Sequence, residues 1–111
     1  MYPLYKAGSK TPITKLHEAH GFNKIRGLIG RSDWPVEDAL LFNDCKQVHT
    51  WFMQFSIGII FLNDHKQVVG HAHLKPFSFS PKINKAKYII EYRMGNTELA
   101  QIKKGEYLNW Y

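Results

Sequence analysis

The sequence predicts a mainly β protein, a compact β-barrel or jelly-roll-like sandwich with one or two short helices. Short segments typical of β-strands recur along the chain, for example Leu40–Phe42 and Ala86–Arg93. Turn residues separate these runs at short intervals, and the pattern lacks the long helices between strands that are typical of βαβ units. The chain has 111 residues, the usual size of one domain. We therefore expect a single domain over residues 1–111.

Local sequence patterns in the first half of the chain predict several elements. Residues 1–15 are polar and contain two prolines and a glycine, so we expect a loosely ordered arm or an edge strand. Apolar residues three or four apart predict a short helix over residues 22–30, which Gly30 would end. Residues 48–62 are the apolar centre, and side chains over residues 48–54 alternate as in a strand.

The second half is typical of a hairpin followed by short strands. The turn at residues 63–66 joins the central strand to residues 67–73, and residues 74–81 are a loop rich in proline, serine and phenylalanine. The remaining predicted elements are a strand over residues 86–93, a strand or a turn over residues 99–104 and a final strand over residues 105–111.

The composition indicates a basic cytoplasmic protein. Fifteen Lys and Arg residues against nine Asp and Glu residues give a net charge of +6. Cys45 is the single cysteine, so no intramolecular disulfide can form, which fits a reducing compartment. The longest apolar stretch, residues 55–62, is far shorter than the roughly 20 residues of a membrane-spanning helix, so we expect no membrane insertion. The positive charge is spread along the chain and consists mostly of lysine, which favours solubility over nucleic-acid binding as its role.

Several motifs occur in an order and spacing that resemble one known family. They are Arg26-Gly-Leu-Ile-Gly-Arg31, Ala39-Leu-Leu-Phe42, Val48-His-Thr-Trp-Phe-Met53 and Ile57-Gly-Ile-Ile-Phe-Leu62. With later matches they cover most of the chain from Arg26 to Trp110, and they resemble domain-of-unknown-function family 192 in its bacterial branch. The resemblance implies a small β-rich fold, no established reaction, and an association of bacterial relatives with secretion or pilus systems.

Two residues depart from the family pattern. Members of the family usually carry a proline and an aspartate in the block of residues 55–59, where this chain has Ser56 and Gly58. The aspartate is the most suggestive acidic group of the family. The resemblance therefore implies that a site requiring this carboxylate is lost or altered here.

Arg31, His49 and Lys75 are the candidate ligand-binding residues. Arg31 offers a two-pronged hydrogen bond to a carboxylate or a phosphate, and its turn is expected to meet the strand that carries His49. The alternative is a structural role, in which Arg31 donates to backbone carbonyls and holds the short helix against a strand end.

His49, His71 and His73 form a candidate metal site. Residues two apart on a strand share a face, so His71 and His73 point the same way. Three imidazoles could hold Zn²⁺ with one position open for water, as in a small metal-dependent hydrolase. No Cys-x-x-Cys or His-Glu-x-x-His motif accompanies them, so two ordinary histidines on a solvent-facing strand are favoured and no cofactor is expected.

The remaining candidates are structural or lie on the surface. Glu91 and Arg93 share one face of a predicted strand, and we expect Glu91 to form an internal ion pair with Arg93 or with Arg31. Phe77, Phe79 and Trp110 flank loops or the chain end, which makes them candidates for an exposed partner surface.

The sequence contains no complete catalytic set, and it therefore favours a non-enzymatic accessory module that binds a small molecule or a protein partner. The alternatives are the metal-dependent hydrolase and a weak nucleic-acid binder that uses its basic surface.

Overall fold

The structure is a computed structural model that describes residues 2–18, 34–47 and 55–110 of the chain. Its elements are β1 (Tyr2–Lys6), β2 (Thr14–Glu18), β3 (Asp38–Asn43), β4 (Ile57–Leu62), β5 (Val68–Leu74), β6 (Tyr88–Arg93), α1 (Thr97–Ala100) and β7 (Leu108–Trp110). The predicted mainly β fold class is confirmed.

The strands form one sheet in the order β5-β4-β6-β3-β2-β1-β7. Neighbouring strands are antiparallel, except that β2 and β3 run parallel. The inner strand β6 pairs with β3 on one side and with β4 on the other. As a result, Glu91 lies in register with both Leu40 and Ile59.

The sheet curls until its two outer strands, β5 and β7, meet at one end. An antiparallel bridge joins Gln67 to Tyr107, and the amide of Val68 donates to the carbonyl of Glu106 at 2.8 Å. Further along β5, the strand lies against the segment between α1 and β7 and not against β7 itself. We call this junction of β5 with residues 101–108 the seam. The sheet is therefore barrel-like and only partly closed.

Apolar side chains pack on both faces of the sheet. The core of the first face includes Leu41, Ile60, Ile90 and, from α1, Leu99. The core of the second face includes Trp34, Leu40, Ile59 and Ile89. All six residues of β4 are buried, because this strand has an apolar layer on each side. That double burial explains why its sequence is a continuous apolar run rather than an alternating one.

The N-terminal strand differs from the prediction. The structure places β1 inside the sheet, between β2 and β7, and not at an edge or in a loose arm. Leu4 is fully buried and lies opposite Trp110 of β7. The polar composition of residues 1–15 did not reveal this position, because the second partner of β1 comes from the far end of the chain.

A helical turn lies where the sequence predicted a strand or a turn. The helix α1 covers Thr97–Ala100, and Asn96 is its N-cap, since its side-chain oxygen accepts from the amide of Leu99 at 3.0 Å. The Gly95-Asn96 pair therefore has two roles, because it follows the end of β6 and also begins α1.

The predicted helix over residues 22–30 and the alternating strand over residues 48–54 both lie outside the described residues. Within the described ranges, no helix has the length and apolar character needed to cross a bilayer.

Candidate functional site

The predicted ligand pocket is described only in part. Arg31 and His49 lie outside the described residues, so their convergence with Lys75 remains a prediction. Lys75 directly follows the last residue of β5 and is exposed. It therefore contributes positive charge to the start of the loop that leads toward β6.

His71 uses both of its ring nitrogens on the first face. Nδ1 lies 3.0 Å from the carbonyl oxygen of Ile102, and Nε2 lies 2.5 Å from the hydroxyl oxygen of Tyr92. A carbonyl oxygen can only accept, so Nδ1 carries the proton and Nε2 accepts from the Tyr92 hydroxyl. The ring thereby connects β5 with β6 and with the chain that follows α1.

The surroundings favour the uncharged form of both groups. Burial lowers the pKa of His71 below its ordinary value of 6.5, an effect that the Ile102 hydrogen bond opposes and the neighbouring His73 reinforces. Burial also raises the pKa of Tyr92 to about 12. At neutral pH the pair is therefore a neutral imidazole that accepts from a neutral phenol.

These hydrogen bonds do not favour the predicted histidine metal site. Nε2 of His71 is the nitrogen with a lone pair, and a metal could bind it only by displacing the Tyr92 hydroxyl. The rings of His71 and His73 are perpendicular, with their centres 5.3 Å apart. Within the described ranges, no three His, Cys, Asp or Glu side chains are grouped to hold a metal. His49, the third predicted ligand, lies outside those ranges, so the hydrolase hypothesis remains a prediction.

Gly58 marks the point where the Tyr92 side chain crosses β4. It pairs with Tyr92 on one side and with His73 on the other. A Cβ at this position would lie within 2.5 Å of three atoms of the Tyr92 phenol. Tyr92 thus fills the space that any side chain at position 58 would occupy. The signal in the sequence was a glycine inside an apolar strand, which often marks such a close approach.

Glu91 is buried on the second face, with 4% of its surface exposed. Its register partners Leu40 and Ile59 belong to the apolar core of that face. Arg93 follows two residues later, and its Nη1 donates to the carbonyl of Trp34 at 3.4 Å. A carboxyl group in this position must be paired or protonated, and the ion pair of Glu91 with Arg93 remains a prediction.

The loop of residues 75–81, which we call the aromatic loop, presents two exposed phenylalanine side chains. Phe77 is 64% exposed and Phe79 is 63% exposed. The φ angle of Phe77 is 61°, a left-handed conformation that residues other than glycine rarely adopt, so the surrounding chain must impose it. At the end of the loop Ser80 is buried, and its carbonyl accepts from Nε2 of Gln47 at 2.9 Å.

Trp110 was predicted to belong to an exposed partner surface, and this was wrong. It is only 8% exposed, because β7 pairs with β1 and turns the indole into the first-face core. Tyr88 packs edge-on against it, with ring centres 5.2 Å apart. The ammonium of Lys66 lies 4.3 Å from the centre of the indole ring. Position near the chain end did not indicate exposure here.

Sequence reasoning missed a polar cluster where the first strands end. The Glu18 carboxylate accepts from the Tyr2 hydroxyl at 3.1 Å and from Nδ2 of Asn43 at 2.6 Å. The hydrogen bond to Glu18 and its negative charge raise the pKa of Tyr2. The three residues lie on three different strands, and no local pattern links them.

Replacing Glu18 with glutamine is expected to lower the pKa of Tyr2 toward its ordinary value, because an amide oxygen carries no full negative charge. Titration of the Tyr2 ring resonances by NMR measures this change. The matched control is Glu106→Gln, which removes a carboxylate that lies 3.6 Å from Lys6. An unchanged Tyr2 pKa in Glu18→Gln would contradict the assignment.

Comparisons of the sequence lead to proteins without an assigned activity. The model of domain-of-unknown-function family 192, described as Uncharacterized ACR, matches residues 9–110. A UPF0127 protein of Pyrococcus furiosus is 41% identical over 63 residues, which are 57% of this chain and 54% of that protein. The match thus spans about half the length of this curated relative, which is archaeal.

Solved structures share the fold at low sequence identity. A protein of unknown function from Novosphingobium aromaticivorans superimposes with a TM-score of 0.79 at 19% identity. The superposition covers 97% of this chain and 84% of the Novosphingobium chain. A candidate transcription regulator from Sinorhizobium meliloti superimposes with a TM-score of 0.74 at 17% identity. The superposition covers 98% of this chain and 91% of the Sinorhizobium chain. At these identities the likeness establishes the fold alone.

Proposed function

The chain belongs to domain-of-unknown-function family 192, and on that premise we propose that it is a single-domain, cytoplasmic, non-enzymatic module that binds a protein partner through the aromatic loop. The observation that carries the proposal is the exposure of Phe77 and Phe79, each close to two thirds. Large aromatic side chains are enriched at protein interfaces, where they act as anchors by entering a pocket on the partner.

The aromatic loop is held at both ends, which suits a binding surface. Leu74, the last residue of β5, is buried in the second-face core. After the loop, the amide of Ile83 donates to the carbonyl of Lys46 at 3.0 Å, and the Ile83 side chain packs against the same core. A loop fixed in this way loses less conformational entropy on binding than a free one.

The surroundings of the loop are positively charged. Residues 65–90 contain five lysines and no aspartate or glutamate. Lys75 at the start of the loop is exposed, and so are Lys82 and Lys85, which follow it. Lys46 adds a fourth charge, since its ammonium donates to the carbonyls of residues 84 and 86.

The partner that fits this surface is a protein with an apolar pocket bordered by carboxylates. The phenylalanine rings would supply the buried contact, and the lysines would increase the association rate through complementary charge. The association of bacterial relatives with secretion and pilus systems makes acidic components of such systems the first partners to screen.

The double change Phe77→Ser and Phe79→Ser is expected to weaken partner binding by at least about 30-fold, which is the loss of one buried aromatic anchor worth on the order of 2 kcal/mol, and by up to about 1000-fold when both rings are buried. Purified wild-type protein and the variant would be compared by calorimetry against acidic components of secretion and pilus systems expressed from the same genome. Binding of wild type should also weaken as the salt concentration rises.

The matched control is Tyr107→Ser, which removes another exposed aromatic side chain, 48% exposed at the seam. This variant should bind like wild type. The proposal fails if the double variant keeps the full affinity for the partner. It also fails if wild type instead binds a single-stranded oligonucleotide in a phenylalanine-dependent way, since exposed rings and lysines can also hold bases and phosphates.

A further inference from the structure

An open apolar groove lies beside β1, β2 and the turn that precedes β3. Two adjoining cavities of about 440 and 210 Å³ form this groove, and both are lined by Ile13 and Glu37. Its apolar lining consists of Tyr2, Pro3, Pro12, Ile13 and Val36. The larger cavity has room for a large side chain. Phe77 and Phe79 do not line the groove and are mostly exposed, so the aromatic loop of the same chain does not fill it.

The rim of the groove is acidic. Glu37 and Glu98 both line the smaller cavity, and both are exposed. Within the described ranges, no cation forms an ion pair with either carboxylate. Lys15 is the one cation among the described residues that line the groove. In a chain with a net charge of +6, the groove is therefore a local region of negative charge.

We propose that the groove binds the aromatic loop of a second copy of this chain. This inference rests on the proposed function, because it uses the same binding surface and names its occupant. The phenylalanine rings and lysines of the loop fit an apolar pocket bordered by carboxylates. The groove is such a pocket, and every copy of the chain carries both surfaces.

The two surfaces complement each other in polarity and in charge. Phe77 and Phe79, each close to two thirds exposed, enter the apolar lining. Lys75 begins the loop and Lys82 follows it, and both are exposed, so they can lie beside the two glutamates of the rim. The buried rings supply most of the binding free energy, and the opposite charges at the border orient the contact.

The contact joins two different surfaces of the chain. Two copies therefore either exchange loops reciprocally, which closes a twofold pair, or associate head to tail. In both arrangements, a copy with an altered loop can still receive the loop of another copy. A copy with an altered groove can still donate its own loop. This property distinguishes docking in the groove from a contact between two loops, which needs the phenylalanines of both copies.

Sedimentation velocity of the purified intact chain tests the contact from about 20 μM to about 1 mM protein. The salt concentration is about 0.15 M, because the repulsion between two positively charged copies is then largely screened. Wild type should associate as its concentration rises. The loop variant, Phe77→Ser with Phe79→Ser, should raise the dissociation constant by at least about 30-fold, the loss of one buried aromatic anchor.

The groove variant is Val36→Ser with Glu37→Lys, and it should raise the dissociation constant by at least about tenfold. Both residues are exposed, and their backbone carbonyls accept from Asn96, Thr14 and Lys15, contacts that these substitutions leave in place. An equimolar mixture of the loop variant and the groove variant should associate again. In that mixture, the intact groove of the first variant receives the intact loop of the second.

The matched control is Asp64→Lys with Tyr107→Ser, which should associate like wild type. It makes the same change of charge and also removes an exposed apolar side chain, but at the other end of β5. A second measurement needs only wild type. On dilution, the amide NMR signals of Val36 and Glu98 should shift together with those of Phe77 and Phe79.

Three results overturn the inference. The first is a wild-type chain that stays monomeric, and calorimetry against acidic proteins of other sequence then judges the proposed function separately. The second is association that persists in the groove variant or in the loop variant at wild-type strength. The third is a mixture of the two variants that does not associate. If a variant does not fold, wild-type signals that shift on dilution at only one of the two surfaces overturn the inference.

Discussion

Replacing Gly58 with alanine is expected to destabilise the protein by about 3 kcal/mol, because the new Cβ would overlap the Tyr92 phenol. Tyr92 is fully buried, its hydroxyl is bound to His71, and its backbone pairs with β3 and β4. The ring therefore cannot move aside without breaking other contacts. Chemical denaturation of the purified variant measures the loss of unfolding free energy.

A double-mutant cycle distinguishes the overlap with the Tyr92 ring from a general intolerance of β4 to substitution. Tyr92→Ala alone should cost about 3–5 kcal/mol, because it leaves a cavity and an unused acceptor on His71. Adding Gly58→Ala to that variant should then cost little, since the space is already vacant. The control for strand glycines is Gly70→Ala, where the nearest atom, in Phe61, lies at an ordinary 3.4 Å. Equal costs for Gly58→Ala with and without the Tyr92 ring would contradict the overlap.

Replacing Asn96 with alanine is expected to destabilise the protein by about 2 kcal/mol, the sum of a lost helix cap and a lost side-chain hydrogen bond. Asn96 is 7% exposed, and besides capping α1 its Nδ2 donates to the carbonyl of Val36 at 3.0 Å. It thereby joins α1 to the turn that precedes β3. Thermal and denaturant unfolding measure the effect.

Two further variants define the role of Asn96. Asn96→Asp keeps an oxygen that can cap the helix and removes only the donor to Val36, so it should lose about half as much stability as Asn96→Ala. Asn84→Ala changes an exposed asparagine in a turn and should alter the unfolding free energy by less than about 0.5 kcal/mol. A loss for Asn96→Ala no larger than for Asn84→Ala would show that the cap and the bond to Val36 contribute nothing.

The sequence predicted those parts of the fold that short segments encode. The apolar run of β4, the hairpin turn before β5 and the strand that became β6 were all placed correctly, because each depends on residues within one element. The family motifs added a resemblance that the match over residues 9–110 confirmed. The exposure of Phe77 and Phe79 was also correct, since proline and serine around them indicated a loop.

The tertiary structure decided which distant residues meet. Tyr92 fills the space above Gly58, the ring of His71 joins Tyr92 to the carbonyl of Ile102, and Trp110 is buried beside β1. These contacts join segments that are far apart in the sequence, such as β4 with β6 and β1 with β7. A single sequence carries the period of each strand but not the order in which strands pair. For this reason the elements of the chain could be predicted, whereas the hydrogen bonds of His71 and the burial of the C-terminal strand could not.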